Sequence, residues 1–235
     1  MTANADILQP AFVLHCQHYR ETSLILQVLT RDAGRVALLA KGVRKARSKT
    51  AALLQPFLPL QLSYQGKAEL KNLTHVESLP PFGVLQGLPL YCGFYANELL
   101  GRFLHPYDPH PEVFSAYQQC LVRLATGGDM HIALRLFELE LLEHSGYGLD
   151  FAYTAGSGLA IEADQRYVFQ AGRGLVADPL GPISGATLQA LEVRDFSQAQ
   201  VVAEAKLLMR IVIDSYLQGR PLKSRAVIQQ IINGP

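Results

Sequence analysis

Apolar side chains between residues 8 and 79 fall in five short runs, each closed off by turn-forming or charged residues. Phe12, Val13, Leu14 and Cys16 begin the first, and Tyr19-Arg20-Glu21-Thr22 bounds it. Ser23 to Thr30 is the second, rich in branched side chains that fit a pleated, half-buried surface. Arg31-Asp32-Ala33-Gly34 reads as a turn, because Gly34 accepts the positive φ that other residues avoid. Arg35 to Lys41 is the third run; Phe57 to Tyr64 and Leu70 to Glu77 are the fourth and fifth, joined by Gln65-Gly66-Lys67. Five short strands in about 70 residues predict a small closed barrel of OB type, since closure leaves no open edge strand.

Beyond residue 80 the spacing becomes helical. Leu88, Tyr91, Cys92, Tyr95, Leu99 and Phe103 recur at intervals of three and four, predicting a helix from Leu85 to about Leu104. Pro106, Pro109 and Pro111 interrupt it, and Glu112 to Ala125 resumes through Phe114, Tyr117, Leu121 and Leu124. Gly127-Gly128 breaks that pattern, and Asp129 is placed to cap a helix reaching His144, which Gly146 and Gly148 stop. Residues 149–182 are glycine-rich, with β-like pieces such as Arg166-Tyr-Val-Phe169. Ser184 to Leu191, capped by Ser184, Ala199 to Leu217 and Pro221 to Ile231 are the last helices. The predicted plan is α+β: a five-stranded OB-fold barrel over 1–80, then a mostly helical domain over 81–235 with a small β-hairpin insert near 150–182.

Composition changes this picture in one respect. The formal charge of +1 conceals an asymmetry: residues 1–80 hold ten basic and five acidic side chains, the other 155 eleven and fifteen. A basic first part points to a polyanionic partner there. Cys16, Cys92 and Cys120 are scattered, with neither a disulfide framework nor a CxxC spacing for zinc. Neither a secretory leader nor a stretch of roughly 18 apolar residues is present, so the chain is expected to be cytoplasmic, without a membrane partner.

The strongest local signal is Lys41-Gly-Val-Arg-Lys-Ala-Arg-Ser-Lys49, five cations in nine positions with no acid. Between the third and fourth strands it can reach outward and follow a phosphate backbone, displacing condensed counterions. The bland reading, a solvated basic loop, loses ground once the barrel and the charge split point the same way. Tyr19 and Tyr64, near strand ends, are the better pair for stacking on bases, although most strand aromatics are core; each outward ring would contribute about 1–3 kcal/mol. His105, Asp108 and His110 share a proline-rich loop better explained as a surface turn than as a metal site. His15 and His18, three apart on a strand, face opposite ways. No GxxxxGK[ST], dinucleotide fingerprint or nucleophile elbow occurs, and the carboxylates of Glu138, Glu140 and Glu143 lie along a helix, so no catalytic residue and no cofactor are expected.

Several segments together resemble the RecO family of recombination mediators. They are Ala11-Phe-Val-Leu14, Arg20-Glu-Thr-Ser-Leu24, Gly34-Arg-Val36 with Ala40-Lys-Gly42, and Leu54-Gln-Pro-Phe57 in the barrel part. In the helical part they are Leu90-Tyr91, Asn97-Glu-Leu-Leu100, Arg135-Leu-Phe-Glu-Leu139, Leu149 after Gly146-Tyr-Gly148, and Pro221-Leu-Lys-Ser-Arg225. The resemblance implies a non-enzymatic repair protein, cytoplasmic and gathered at the nucleoid during repair. It would bind single- and double-stranded DNA, anneal complementary strands, and help load recombinase together with RecR and, in some systems, RecF.

Carried over by position, the implied DNA contacts are Arg35, Lys41, Arg44, Lys45, Arg47 and Lys49. Family members also bind the acidic, Phe-terminated tail of single-strand-binding protein, which calls for a cation beside an apolar wall. Arg123 and Arg135, with Leu121 or Leu124 as wall, are the candidates, against the simpler reading that both arginines make ion pairs, as Arg135 could with Glu138. Lys223 and Arg225 would extend the DNA surface or only serve a helix end. Many members carry a four-cysteine zinc module where residues 150–180 of this chain have no cysteine, so no metal is implied. Two other classes stand beside this reading: a protein–protein adaptor without DNA binding, and a metal-dependent nuclease, for which the barrel part has too few acids.

Overall fold

The computed structural model describes residues 8–44, 48 and 50–233. They pack as two compact units: one runs up to Gly128 and takes in Ser224 onward, the other is Asp129–Lys223.

Five strands begin the first unit: β1 (Gln9–Tyr19), β2 (Ser23–Thr30), β3 (Gly34–Ala40), β4 (Leu60–Gln65) and β5 (Leu70–Ser78). They close in the order β1-β2-β3-β5-β4, with β4 returning to β1 over Gln9–Ala11 and only β3–β5 parallel. This is the OB-type barrel that the strand pattern predicts. Alternate residues face inward: Leu24, Leu26 and Val28 on β2; Val36, Leu38 and Ala40 on β3; Leu60, Leu62 and Tyr64 on β4. The short helix α1 (Thr50–Leu53) leads into Leu54, which joins the same core. Each fully buried Val or Leu contributes about 1.5–3 kcal/mol. The fourth strand starts at Leu60, three residues later than its apolar run. Phe57 takes a φ of 72°, and its ring leaves the strand line to meet Phe94 edge-on at 5.0 Å.

Two helices cover the outside of the barrel: α2 (Leu88–Phe103) and α3 (Pro111–Ala125). Phe12, between the core residues Ala11 and Val13, faces outward and lies 5.4 Å from Phe114 and 5.2 Å from Tyr117. A register shift between Val13 and His15 leaves Leu14 without a partner on β2, a β-bulge. Its carbonyl accepts a hydrogen bond from Asn97 Nδ2 at 2.9 Å, and Asn97 Oδ1 accepts one from the wholly buried Tyr117 hydroxyl at 2.6 Å. At the far end of the chain, α7 (Lys223–Asn233) returns to α2. Glu98 Oε2 accepts from both the backbone N–H and the hydroxyl of Ser224, at 2.9 and 2.7 Å, and the Arg225 guanidinium lies 5.6 Å from the Tyr95 ring. A carboxylate here satisfies free donors at a helix N-terminus and favours its dipole.

The second unit contains α4 (Met130–His144), α5 (Gly185–Glu192), α6 (Ala199–Tyr216) and a sheet in the order β7 (Gly174–Ala177), β6 (Arg166–Gln170), β8 (Ile183–Ser184). Asp129 caps α4 through His131 N and Ile132 N, and Ser184 caps α5 through Thr187 N, as their positions predict. The glycine-rich insert is more than a hairpin. Beside β6 (Arg166–Gln170) and β7 (Gly174–Ala177) lies β8 (Ile183–Ser184), two residues too short to leave a pattern in the sequence. Glu204 of α6 binds this insert. Burial alone would raise its pKa, but hydrogen bonds from the Ser184 N–H and from the Thr187, Ser184 and Gln200 side chains outweigh that and hold it at about 2, against an ordinary 4.5.

Asn97→Ala removes the donor to the Leu14 carbonyl and the acceptor of the Tyr117 hydroxyl from a buried interface. Urea denaturation is expected to register a loss of about 2–4 kcal/mol. Glu204 generates a pH dependence. Its folded-state pKa is depressed, so its contribution is complete above about pH 4.5 and is lost as the pH falls toward 2. Glu204→Gln is expected to lose roughly 2 kcal/mol at neutral pH after allowing for screening. Thermal melts between pH 2 and 7 should show a shallower acid limb for the variant than for the parent protein.

Candidate nucleic-acid interface

The basic segment after β3 begins as an anchored turn. Lys41 and Arg44 are exposed, while Val43 between them is buried in the barrel core. Arg44 N donates to Thr22 O at 2.9 Å, and Arg44 Nη1 reaches Arg20 O and Glu21 O at 3.5 and 3.3 Å. The segment therefore crosses the β1–β2 turn, where Arg20 is exposed in the left-handed region with its guanidinium 5.2 Å from the Tyr19 ring. Lys41, Arg44, Arg20 and Tyr19 share one end of the barrel, with Glu21 the acid among them. Lys45, Arg47 and Lys49 lie outside the described residues.

The neighbouring half of β1 adds an open strand. His15, Cys16, Gln17 and His18 are all exposed, and β4 pairs with β1 only at Gln9–Ala11. By register His15 lies opposite Gln27 and His18 opposite Leu24, on opposite faces of the ribbon. Side chains that donate, accept and stack thus border the cationic turn, a combination that suits single strands, whose bases are free to stack.

The structure gives the other expected residues different surroundings. Arg35 is half-buried: its Nη1 donates to the carbonyls of Leu100 and Gly101 near the end of α2, and burial lowers its pKa. There it shares the Leu100 carbonyl with the Leu104 N–H, takes the Gly101 carbonyl as well, and complements the dipole. Tyr64 does not stack on bases. Its ring is in the barrel core, burial raises its pKa, and its hydroxyl accepts from Gln9 Nε2 at 3.3 Å. Its even spacing from Leu60 and Leu62 already placed it on the inward face.

Arg135 is buried with Glu138 in a two-pronged ion pair, Nε to Oε2 at 2.6 Å and Nη2 to Oε1. Arg123 is half-buried and lines a shallow cleft of about 430 Å³ with Ser115, Gln118, Gln119 and Val122. Leu121 and Leu124 are buried, so Val122 is the apolar wall of that cleft. His110 Nε2 pairs with Asp108 Oδ2 at 3.1 Å. Among the described residues no group of three or more His, Cys, Asp or Glu side chains is arranged to hold a metal ion, and no helix is long and apolar enough to cross a membrane.

Arg20 joins this cluster, although it was not among the contact residues expected from the sequence. A signal existed: when β2 runs antiparallel to both neighbours, the β1–β2 turn and the end of β3 lie together, as the Leu24–Ala40 pairing shows. For Arg35→Ala the expected outcome is a stability loss of about 1–3 kcal/mol in urea denaturation. The salt slope of DNA binding should stay unchanged, since its guanidinium is engaged with α2.

Comparison with known proteins finds the same family over most of the chain. The model described as recombination protein O N terminal matches residues 2–82, and that of recombination protein O C terminal matches 86–226. The DNA repair protein RecO of Methylococcus capsulatus is 46% identical over 225 residues, 95% of this chain and 93% of that protein. Its counterpart in Burkholderia pseudomallei is 45% identical over 231 residues, 96% of this chain and 84% of that protein. That of Haemophilus influenzae is 42% identical over 228 residues, 96% and 97% of the two chains.

Proposed function

Because this chain belongs to the RecO family of DNA repair proteins, we propose that it is a recombination mediator whose barrel, residues 1–80, holds DNA. The observation that carries this reading is the cluster of exposed Lys41, Arg44 and Arg20 with half-buried Tyr19 at one end of the barrel, continued by Lys45, Arg47 and Lys49 in sequence. Cations there neutralise phosphates and release counterions, which drives association without regard to sequence. Tyr19 and the open strand His15–His18 meet bases once the strand is single. Double-stranded DNA engages the same cations through its phosphates alone.

A surface that grips two single strands by their backbones, and leaves base edges free, promotes annealing without a nucleotide cofactor. The protein acts as a binder and not as an enzyme, in the cytoplasm and at the nucleoid. Loading of recombinase proceeds with RecR and, in some settings, RecF. The acidic tail of single-strand-binding protein is taken up at the α3 cleft, its terminal carboxylate on Arg123 and its apolar side chain against Val122. The enclosed Arg135 is engaged with Glu138 inside the second unit.

The test is annealing of complementary labelled strands coated with single-strand-binding protein, without ATP, alongside binding of oligo(dT) from 50 to 200 mM salt. Alanine at Lys41, Arg44, Lys45, Arg47 and Lys49 should lower the slope of log K against log salt by about 0.7 for each phosphate no longer neutralised, and slow annealing. Tyr19→Ala should weaken oligo(dT) by about 1–3 kcal/mol and leave the slope unchanged. Equal annealing and equal slopes in all three proteins would move the DNA surface off this end of the barrel.

A further inference from the structure

The β1–β2 turn is held more tightly than a surface loop requires. Arg20 takes a φ of 52°, a left-handed conformation that disfavours any residue with a Cβ. Arg44 keeps it there: its N–H donates to Thr22 O at 2.9 Å, and its Nη1 reaches Arg20 O and Glu21 O at 3.5 and 3.3 Å. Backbone strain of this kind gathers where side chains must be presented to a ligand in one arrangement.

Glu21, in the middle of this turn, does nothing for phosphate binding. Its carboxylate is exposed and makes no hydrogen bond or ion pair among the described residues, although Lys41, Arg44 and Arg20 stand at the same end of the barrel. Arg44 takes the backbone oxygen of Glu21 instead, and the Arg20 guanidinium lies over the Tyr19 ring at 5.2 Å. Elsewhere on the barrel the acids do pair, Asp32 with Arg31 at 2.8 Å and Glu77 with His75 at 3.7 Å. A free carboxylate among cations that hold phosphate opposes a polyanion unless the ligand brings it a donor. On a single strand those donors are on the bases. Cytosine presents the N4 amino group where uracil and thymine present the O4 carbonyl. A carboxylate has acceptors only, so it attracts the first and repels the second. Tyr19 and Arg20 offer the flat groups on which such a base stacks.

We propose that Glu21 makes the β1–β2 turn selective among bases: it accepts a hydrogen bond from the exocyclic amino group of a base stacked at Tyr19 and Arg20, favouring cytosine over uracil or thymine. This rests on the barrel end holding DNA as proposed above. The cations set the overall affinity and its salt dependence, and Glu21 sets a preference among the bases laid over the turn. The preference belongs to single strands, since a base must leave its stack to reach Tyr19. Base pairing competes for the same amino group and ring, so a strand gives up this contact as it anneals.

The test uses the full chain with labelled oligo(dC) and oligo(dU) of equal length, followed by fluorescence anisotropy at neutral pH. The two carry the same phosphates and differ at the base edge. Oligo(dC) is expected to bind tighter by about fivefold or more, with the same salt slope. Glu21→Gln should bring the two within about twofold of each other, because an amide both donates and accepts. Its melting temperature should match that of the parent, since the carboxylate has no partner in the protein. Glu21→Asp should keep part of the preference. Equal affinity for the two oligomers in the parent protein, or a preference that persists in Glu21→Gln, would overturn the proposal and leave DNA binding at this end of the barrel intact. Failure of both oligomers to bind at low salt would remove that DNA surface and this proposal together.

Discussion

One turn of α2 holds the first unit together. Asn97 reaches into the bulge of β1 and takes the Leu14 carbonyl, Glu98 holds the start of α7, and the carbonyls of Leu100 and Gly101 receive Arg35 from β3. Leu99 and Leu100 are fully buried in the same turn. The constraint beneath this arrangement is that a buried polar group must find a partner. A β-bulge turns a carbonyl out of its ladder, and such a group left alone in an apolar interface would cost about 1–3 kcal/mol. Asn97 meets that requirement while accepting from Tyr117, so the bulge, the helix and the aromatic contact of Phe12 with α3 depend on one another. The segment Asn97-Glu-Leu-Leu100 meets the distant Ser224, and Arg225 lies over the neighbouring Tyr95 ring; both segments are features of the family pattern.

The cations of this protein divide by what lies over them. Arg35 and Arg135 carry guanidinium groups with several fixed donors, and both are used inside the protein, one on helix carbonyls and one on a buried carboxylate. Lys41, Arg44 and Arg20 are exposed at one end of the barrel, so their charge is directed outward. A similar logic runs through the carboxylates. Glu98 and Glu204 each receive a serine N–H and hydroxyl at the start of a helix, where negative charge is favoured. Glu143 and Glu192 sit at the opposite ends of their helices, where Arg194 supplies positive charge by pairing with Glu143 and donating to the Leu191 carbonyl.

Much of this was legible in the sequence because it is local. Alternation separated the two faces of β2 and β3, spacing of three and four located the helices, and Asp129 and Ser184 capped the helices that follow them. Tyr64 could have been recognised as core from its parity with Leu60 and Leu62. Phe57 could not have been removed from its strand, because its positive φ follows from the seat its ring finds against Phe94. The two-residue β8 escaped notice because it forms only by pairing with β6.

The sequence alone determined that a small barrel precedes helices, that its positive charge is concentrated there, and that the chain has the RecO pattern. These properties are carried by neighbours within a few positions, whose periodicity decides which side of an element is apolar. Only the tertiary structure decided what covers each side. Alternation turned Arg35 away from the barrel core, but its seat is a helix end 65 residues further on. Asn97 bonds a carbonyl 83 residues before it, and Ser224 meets a carboxylate 126 residues away. Such partners are selected by packing and by the need to satisfy buried polar groups, and no short-range pattern encodes them.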